Sequence, residues 1–91
     1  MPQVRYRIEY TAEVVEQQLP ELPKTIRERI LKAIEARLTL APLDYGKPLQ
    51  SNFKNHRRLR VVDYRVIYRV YEEKILVLIV EIDHRKDVYE S

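Results

Sequence analysis

Leu59-Arg60-Val61-Val62-Asp63-Tyr64-Arg65-Val66-Ile67-Tyr68-Arg69-Val70-Tyr71 is the stretch that decides the fold. Successive side chains of a strand point to opposite faces. Tyr64, Val66, Tyr68 and Val70 therefore share one face, and Arg65, Ile67, Arg69 and Tyr71 share the other. The first set suits a core; the second carries charge. Upstream, Leu59 and Val61 alternate with Arg58, Arg60 and Val62. Asp63 lies between the two runs and tolerates a tight turn. Downstream, Glu72-Glu73-Lys74 makes the next turn, and Ile75 to Ile82 is nearly continuous aliphatic sequence. Such a run predicts a strand covered on both faces. The second half of the chain thus reads as a three-stranded meander.

The first half reads differently. Val4, Tyr6 and Ile8 alternate with Arg5, Arg7 and Glu9, as in a half-buried strand. Thr11 is placed to cap a helix from Ala12 to about Leu19, which Pro20 closes. Pro23 suits the first turn of a second helix. Ile26, Ile30, Ala33, Ile34 and Leu38 give that helix one apolar stripe, and Pro42 ends it. Residues 41–56 read as a loop holding Gly46, the sole glycine, with Leu49 and Phe53 as anchors. The order is β-α-α-β-β-β. The expected architecture is α+β in two layers: two helices on one face of a mainly antiparallel sheet, with a short C-terminal tail. Residues 1–91 are expected to form a single domain.

With no cysteine, disulfides and thiolate metal sites are excluded. The N-terminal stretch holds Arg5, Arg7 and Glu9 and no apolar run, so no signal peptide is expected there. The longest apolar run, Ile75 to Val80, is too short to span a bilayer, so the cytoplasm is the expected location. The net charge of +3 is unevenly spread. Residues 51–71 carry six basic side chains (Lys54, Arg57, Arg58, Arg60, Arg65, Arg69) against Asp63 alone. Such a segment suggests an anionic partner, most often nucleic acid, although a solvated strand face gives the same bias.

No metal-binding spacing, glycine-rich phosphate loop or nucleophile elbow is present, so neither metal nor cofactor is expected. What remains is cationic. His56, Arg58 and Arg60 lie two apart, so a straight strand presents them on one face. If Arg58, Arg60 and Arg65 share the face that the helices leave open, an arginine-lined wall results. Guanidinium groups stay charged and bind phosphate through a bidentate fork. Neighbouring tyrosines are suited to stack on unpaired bases. Arg60 also has Glu81 and Asp83 as candidate ion-pair partners across the sheet.

The hairpin Leu59–Val70 resembles the central hairpin of the RelE/ParE toxin superfamily, in which tyrosine-arginine-x-x-tyrosine recurs. Ile82-Asp83-His84-Arg85-Lys86-Asp87-Val88-Tyr89 resembles that family's ending, and Gly46-Lys47-Pro48-Leu49 its loop before the second strand. The resemblance spans essentially the whole chain. It departs at Val62-Asp63, where many relatives carry glycine. It implies a toxin of a type II toxin–antitoxin pair: a metal-independent, ribosome-dependent endoribonuclease that cuts mRNA and halts translation. It implies that Arg58 and Arg65 act at the scissile phosphate. Arg85 is implied to hold that phosphate or protonate the leaving oxygen, and Tyr89 to stack on the substrate. His56 matches a basic position that is lysine in the family; His56 and His84 are the acid–base candidates. Lys54, Arg57, Arg60 and Arg69 are the expected RNA-binding set. The implied partners are the ribosome with its mRNA and a RelB-like or other small acidic antitoxin, with no membrane. Two alternatives share the fold: a ParE-like inhibitor of DNA gyrase, and a non-catalytic module that only binds antitoxin.

Overall fold

The computed structural model describes residues 4–49 and 55–84. Strand β1 (Arg7–Tyr10) is followed by helix α1 (Val14–Gln18) and helix α2 (Lys24–Ala33), which continues into a wider π-type segment, Ile34–Leu38. Then come β2 (Lys47–Pro48), β3 (His56–Val61), β4 (Tyr64–Tyr71), a 3-10 turn at Glu72–Lys74, and β5 (Leu76–His84). The sheet order is β1-β5-β4-β3-β2. Among the described residues, the β1–β5 pair is parallel and the other three are antiparallel. This is the expected two-layer α+β architecture with one addition. Strand β2 falls inside the stretch read as loop.

Local chemistry explains the elements. Thr11 Oγ1 accepts the Val14 N–H at 3.3 Å, which caps α1 as expected. Leu19 N–H reaches back to the Val14 carbonyl at 2.8 Å, a wide five-residue turn. Arg27 N–H bonds the Pro23 carbonyl at 2.8 Å, so proline sits just before α2. The helical backbone ends at Leu38, ahead of Pro42. There the buried Thr39 hydroxyl donates back to the Glu35 carbonyl, and the Thr39 carbonyl accepts Tyr6 N–H at 2.7 Å. Beyond the end of β1, Gln18 Oε1 takes the Ile82 N–H at 2.7 Å, so β5 keeps its backbone donor satisfied where no strand is left to pair it.

Ile30, Ile34 and Leu38 on α2 meet Leu59, Val66, Tyr68, Val77 and Ile79 from the sheet in a single core. Each fully buried aliphatic side chain contributes about 1.5–3 kcal/mol. Tyr10 packs against this core, and burial, with the Glu35 carboxylate nearby, pushes its hydroxyl up to about 12. One expectation is corrected. Strand β5 is not covered on both faces: Val77, Ile79 and Ile82 are buried beneath the helices, while Leu76, Leu78 and Val80 stay half-buried on the far side. The helices supply only one layer.

Beta5 also carries a bulge. Ile67 pairs with Glu81 and Tyr68 with Ile79, leaving Val80 without a partner in register. One extra residue reverses the alternation. Past it, Ile82 is the core residue, and Glu81 and Asp83 move to the open face beside Ile67 and Arg65.

Candidate nucleic-acid interface

Side chains directly opposite each other on paired strands share a face. Leu59 and Val61 are buried, so Arg57, Leu59 and Val61 point toward the helices and His56, Arg58 and Arg60 point away. On β4, Arg65 and Arg69 stand opposite Arg60 and His56 and join them. On β2, Lys47 stands opposite Arg58. Three adjacent strands thus deliver Lys47, His56, Arg58, Arg60, Arg65 and Arg69 to one open wall. Strands lie about 4.8 Å apart and rise about 3.3 Å per residue, so these groups crowd into an area that a few nucleotides would cover.

The register sets like charges opposite one another along this wall. Arg60 faces Arg65, and Lys47 faces Arg58. Like charges directly opposite are destabilising by about 0.2–1 kcal/mol per pair. Asp83, opposite Arg65 from β5, is the nearest acid in that row.

The sequence-predicted residues divide into three groups. Arg58, Arg60, Arg65, Arg69 and His56 are brought together on the wall. Arg57 and His84 are not. Arg57 points to the helical side, where its Nη2 donates to the Leu43 carbonyl at 2.9 Å and the Gly46 carbonyl at 3.3 Å. His84 pairs with Tyr64, and their rings stack with centroids 4.4 Å apart, on the face opposite the wall. Lys54, Arg85 and Tyr89, like the anchor Phe53, lie outside the described residues.

Lys47 was missed by sequence reasoning, and what holds it in place lies in the loop. Gly46 has φ +73°, and a Cβ there would meet the Arg58 carbonyl oxygen at 2.5 Å and the Tyr68 hydroxyl at 2.6 Å. Only glycine lets the loop run this close to β3. The Tyr68 hydroxyl sits 2.8 Å from both the Pro42 and Tyr45 carbonyl oxygens, sharing its one proton between them. Burial pushes this hydroxyl above the ordinary tyrosine range, with Arg57 partly offsetting the shift. It therefore remains a donor at neutral pH. Arg57 and Tyr68 together clamp the loop so that β2, with Lys47, docks beside Arg58. The one available signal was Gly46 immediately before Lys47.

A family model described as the ParE toxin of a type II toxin–antitoxin system, parDE, matches residues 8–89. Toxin RelG of Mycobacterium tuberculosis is 31% identical over 84 residues, covering 92% of this chain and 95% of that protein. The structure resembles a chain of the toxin–antitoxin complex RelBE2 from the same organism, with a TM-score of 0.85 at 30% identity over 94% of this chain and 98% of that one. It also resembles a chain of the archaeal RelE–RelB complex from Pyrococcus horikoshii, with a TM-score of 0.70 at 26% identity over 92% and 99% of the two chains.

Proposed function

Because the chain belongs to the RelE/ParE superfamily of type II toxin–antitoxin toxins, we propose that it is a ribosome-dependent endoribonuclease, built as one domain over residues 1–91. The observation that carries this reading is the wall over β2, β3 and β4, where cations stand opposite cations. In the reaction, a ribose 2′-oxygen attacks the adjacent phosphorus and the bond to the 5′-oxygen breaks. The 2′-proton passes to a base, and the leaving oxygen takes up a proton. The products are a 2′,3′-cyclic phosphate and a 5′-hydroxyl.

Arg58 and Arg65 hold the phosphate and stabilise the charge that builds on its oxygens. Arg85 and Tyr89 complete the site, as the family resemblance implies. Guanidinium groups are poor bases, with pKa above about 12. Of the two histidines, His56 stands on the wall and His84 on the opposite face, which favours His56 as the proton acceptor. With so little acid–base machinery, catalysis depends on positioning of the message, which the ribosome supplies. Cytoplasmic action follows from that partner. Among the described residues, no helix is long and apolar enough to cross a membrane. The second partner is a small antitoxin with an acidic segment that covers the wall, consistent with the relatives solved as RelBE2 and RelE–RelB complexes.

A second reading, inhibition of DNA gyrase, is favoured by the family model's ParE description. Inducible expression of the wild type beside Arg65→Ala, with primer extension on a translated message, separates the two. The nuclease reading expects cut messages from the wild type and a loss on the order of 10²-fold in the variant. Intact messages with a DNA-damage response would establish gyrase as the target instead, and intact messages with no effect on growth would leave antitoxin binding alone.

A further inference from the structure

At the His56–Arg69 end of the wall, a cleft of about 660 Å³ opens around the strand ends, with Pro48, Leu49, His56, Arg69, Tyr71 and Glu72 among its lining residues. Its size is that of a small-molecule site. Its chemistry differs from the wall's. The Arg69 guanidinium lies over the Tyr71 ring, 4.8 Å from the centroid, and the Lys74 ammonium is 5.7 Å from the same ring. A guanidinium held over a ring keeps its outer face for a second planar group. Glu72 and Glu73, both exposed, add carboxylates to the cleft's lining. These accept hydrogen bonds and repel a phosphate, while Arg57, which also lines the cleft, has its Nη2 committed to the Leu43 and Gly46 carbonyls. A neutral, planar ligand with amino donors satisfies both conditions, and cytosine, adenine and guanine are such ligands. The spacing also fits. His56 is two residues from Arg58, roughly 7 Å along the strand, which is about one step of extended RNA.

We infer that this cleft takes a nucleobase of the bound RNA, stacked on Arg69 above Tyr71, with Glu72 or Glu73 accepting from its amino group. The inference rests on the ribonuclease reading and assigns base preference to this end of the sheet. Tyr71, Glu72 and Glu73 then determine specificity, while Arg58 and Arg65 serve the phosphate.

Two measurements test it. The first maps cut sites on translated messages for the wild type and for the Glu72→Ala/Glu73→Ala double variant. Base frequencies beside the cut should change by at least about fivefold; unchanged frequencies would overturn the inference. The second needs no cleavage. Amide NMR of the purified protein is followed while cytidine 5′-monophosphate or ribose 5-phosphate is added. Asn55, Tyr71 and Glu72 should shift with the nucleotide at concentrations where the sugar phosphate leaves them in place. Equal shifts with both, or none with either, would overturn the inference. If the wild type cuts no message, the nuclease reading fails alone, and the NMR comparison still decides whether the cleft binds a base.

Discussion

The open face of the sheet has two halves that treat charge in opposite ways. Over β5 and β1 it is apolar at one end and acidic at the other: Leu76, Leu78 and Val80 are half-buried, Arg7 is bound to Glu9 at 3.1 Å, and Glu81 and Asp83 follow the bulge. Over β2, β3 and β4 it is cationic, with Arg60 opposite Arg65 and Lys47 opposite Arg58. Both halves rest on the same core. What separates them is the sign of the charge: cations gather on β2, β3 and β4, while the carboxylates of Glu81 and Asp83 stand on β5. A surface of one sign attracts groups of the other.

The largest effect on this contrast should come from Gly46. Gly46→Ala puts a methyl group 2.5 Å from a backbone oxygen and strains a positive φ. It should cost about 2–3 kcal/mol and lower Tm by roughly 10 °C or more. Because β2 is held through this contact, Lys47 leaves the wall, and RNA binding weakens beyond what the stability loss explains. Thermal melts paired with filter binding of a short RNA check both parts. A variant as stable as the wild type would show that the loop is not clamped here.

Much of this arrangement is legible in the sequence, and the misses have physical causes. Alternation alone assigns Arg58, Arg60, Arg65 and Arg69 to the face that Tyr68 avoids, because a hairpin with one buried face fixes its own register. The same alternation puts Arg57 on the core side. Grouping it with the RNA-binding set followed its charge rather than its parity, and only the Leu43 and Gly46 carbonyls show what an arginine does there. Strand β2 is two residues long, one of them Pro48, and carries no periodic signal; proline is tolerated because the strand is at the edge. His84 was unreadable for another reason. A bulge within Leu76–Ile82, where one aliphatic residue follows another, leaves no mark in composition, yet it decides which face everything after it occupies.

A smaller effect concerns the turns that lead into each half. Val62, at the tip of the β3–β4 hairpin, has φ 57°, and Ile75, entering β5, has φ 51°; both are exposed. A β-branched residue in this region is strained by about 1 kcal/mol or more, and asparagine tolerates it far better. Val62→Asn and Ile75→Asn should each raise Tm by roughly 4–8 °C. Denaturant or thermal melts check this, and a gain at only one site would mean that strain, like charge, is distributed by function rather than by local geometry.

The smallest effect is the most direct test of the contrast, because its sign matters more than its size. Removing the β1 cation breaks an exposed ion pair, so Arg7→Gln should lower stability slightly, by about 0.3 kcal/mol. Removing one from the cationic half relieves repulsion, so Arg60→Gln should raise it by about 0.5 kcal/mol, or roughly 2–4 °C in Tm. The two differ again in salt. The Arg60 variant's gain shrinks at high ionic strength, because salt already screens the repulsion it removes. Melts of both variants at low and high salt read the sign and its screening together. If Arg60→Gln proved destabilising at low salt, Arg60 would be held by attraction rather than opposed by repulsion, and the contrast between the two halves would fail.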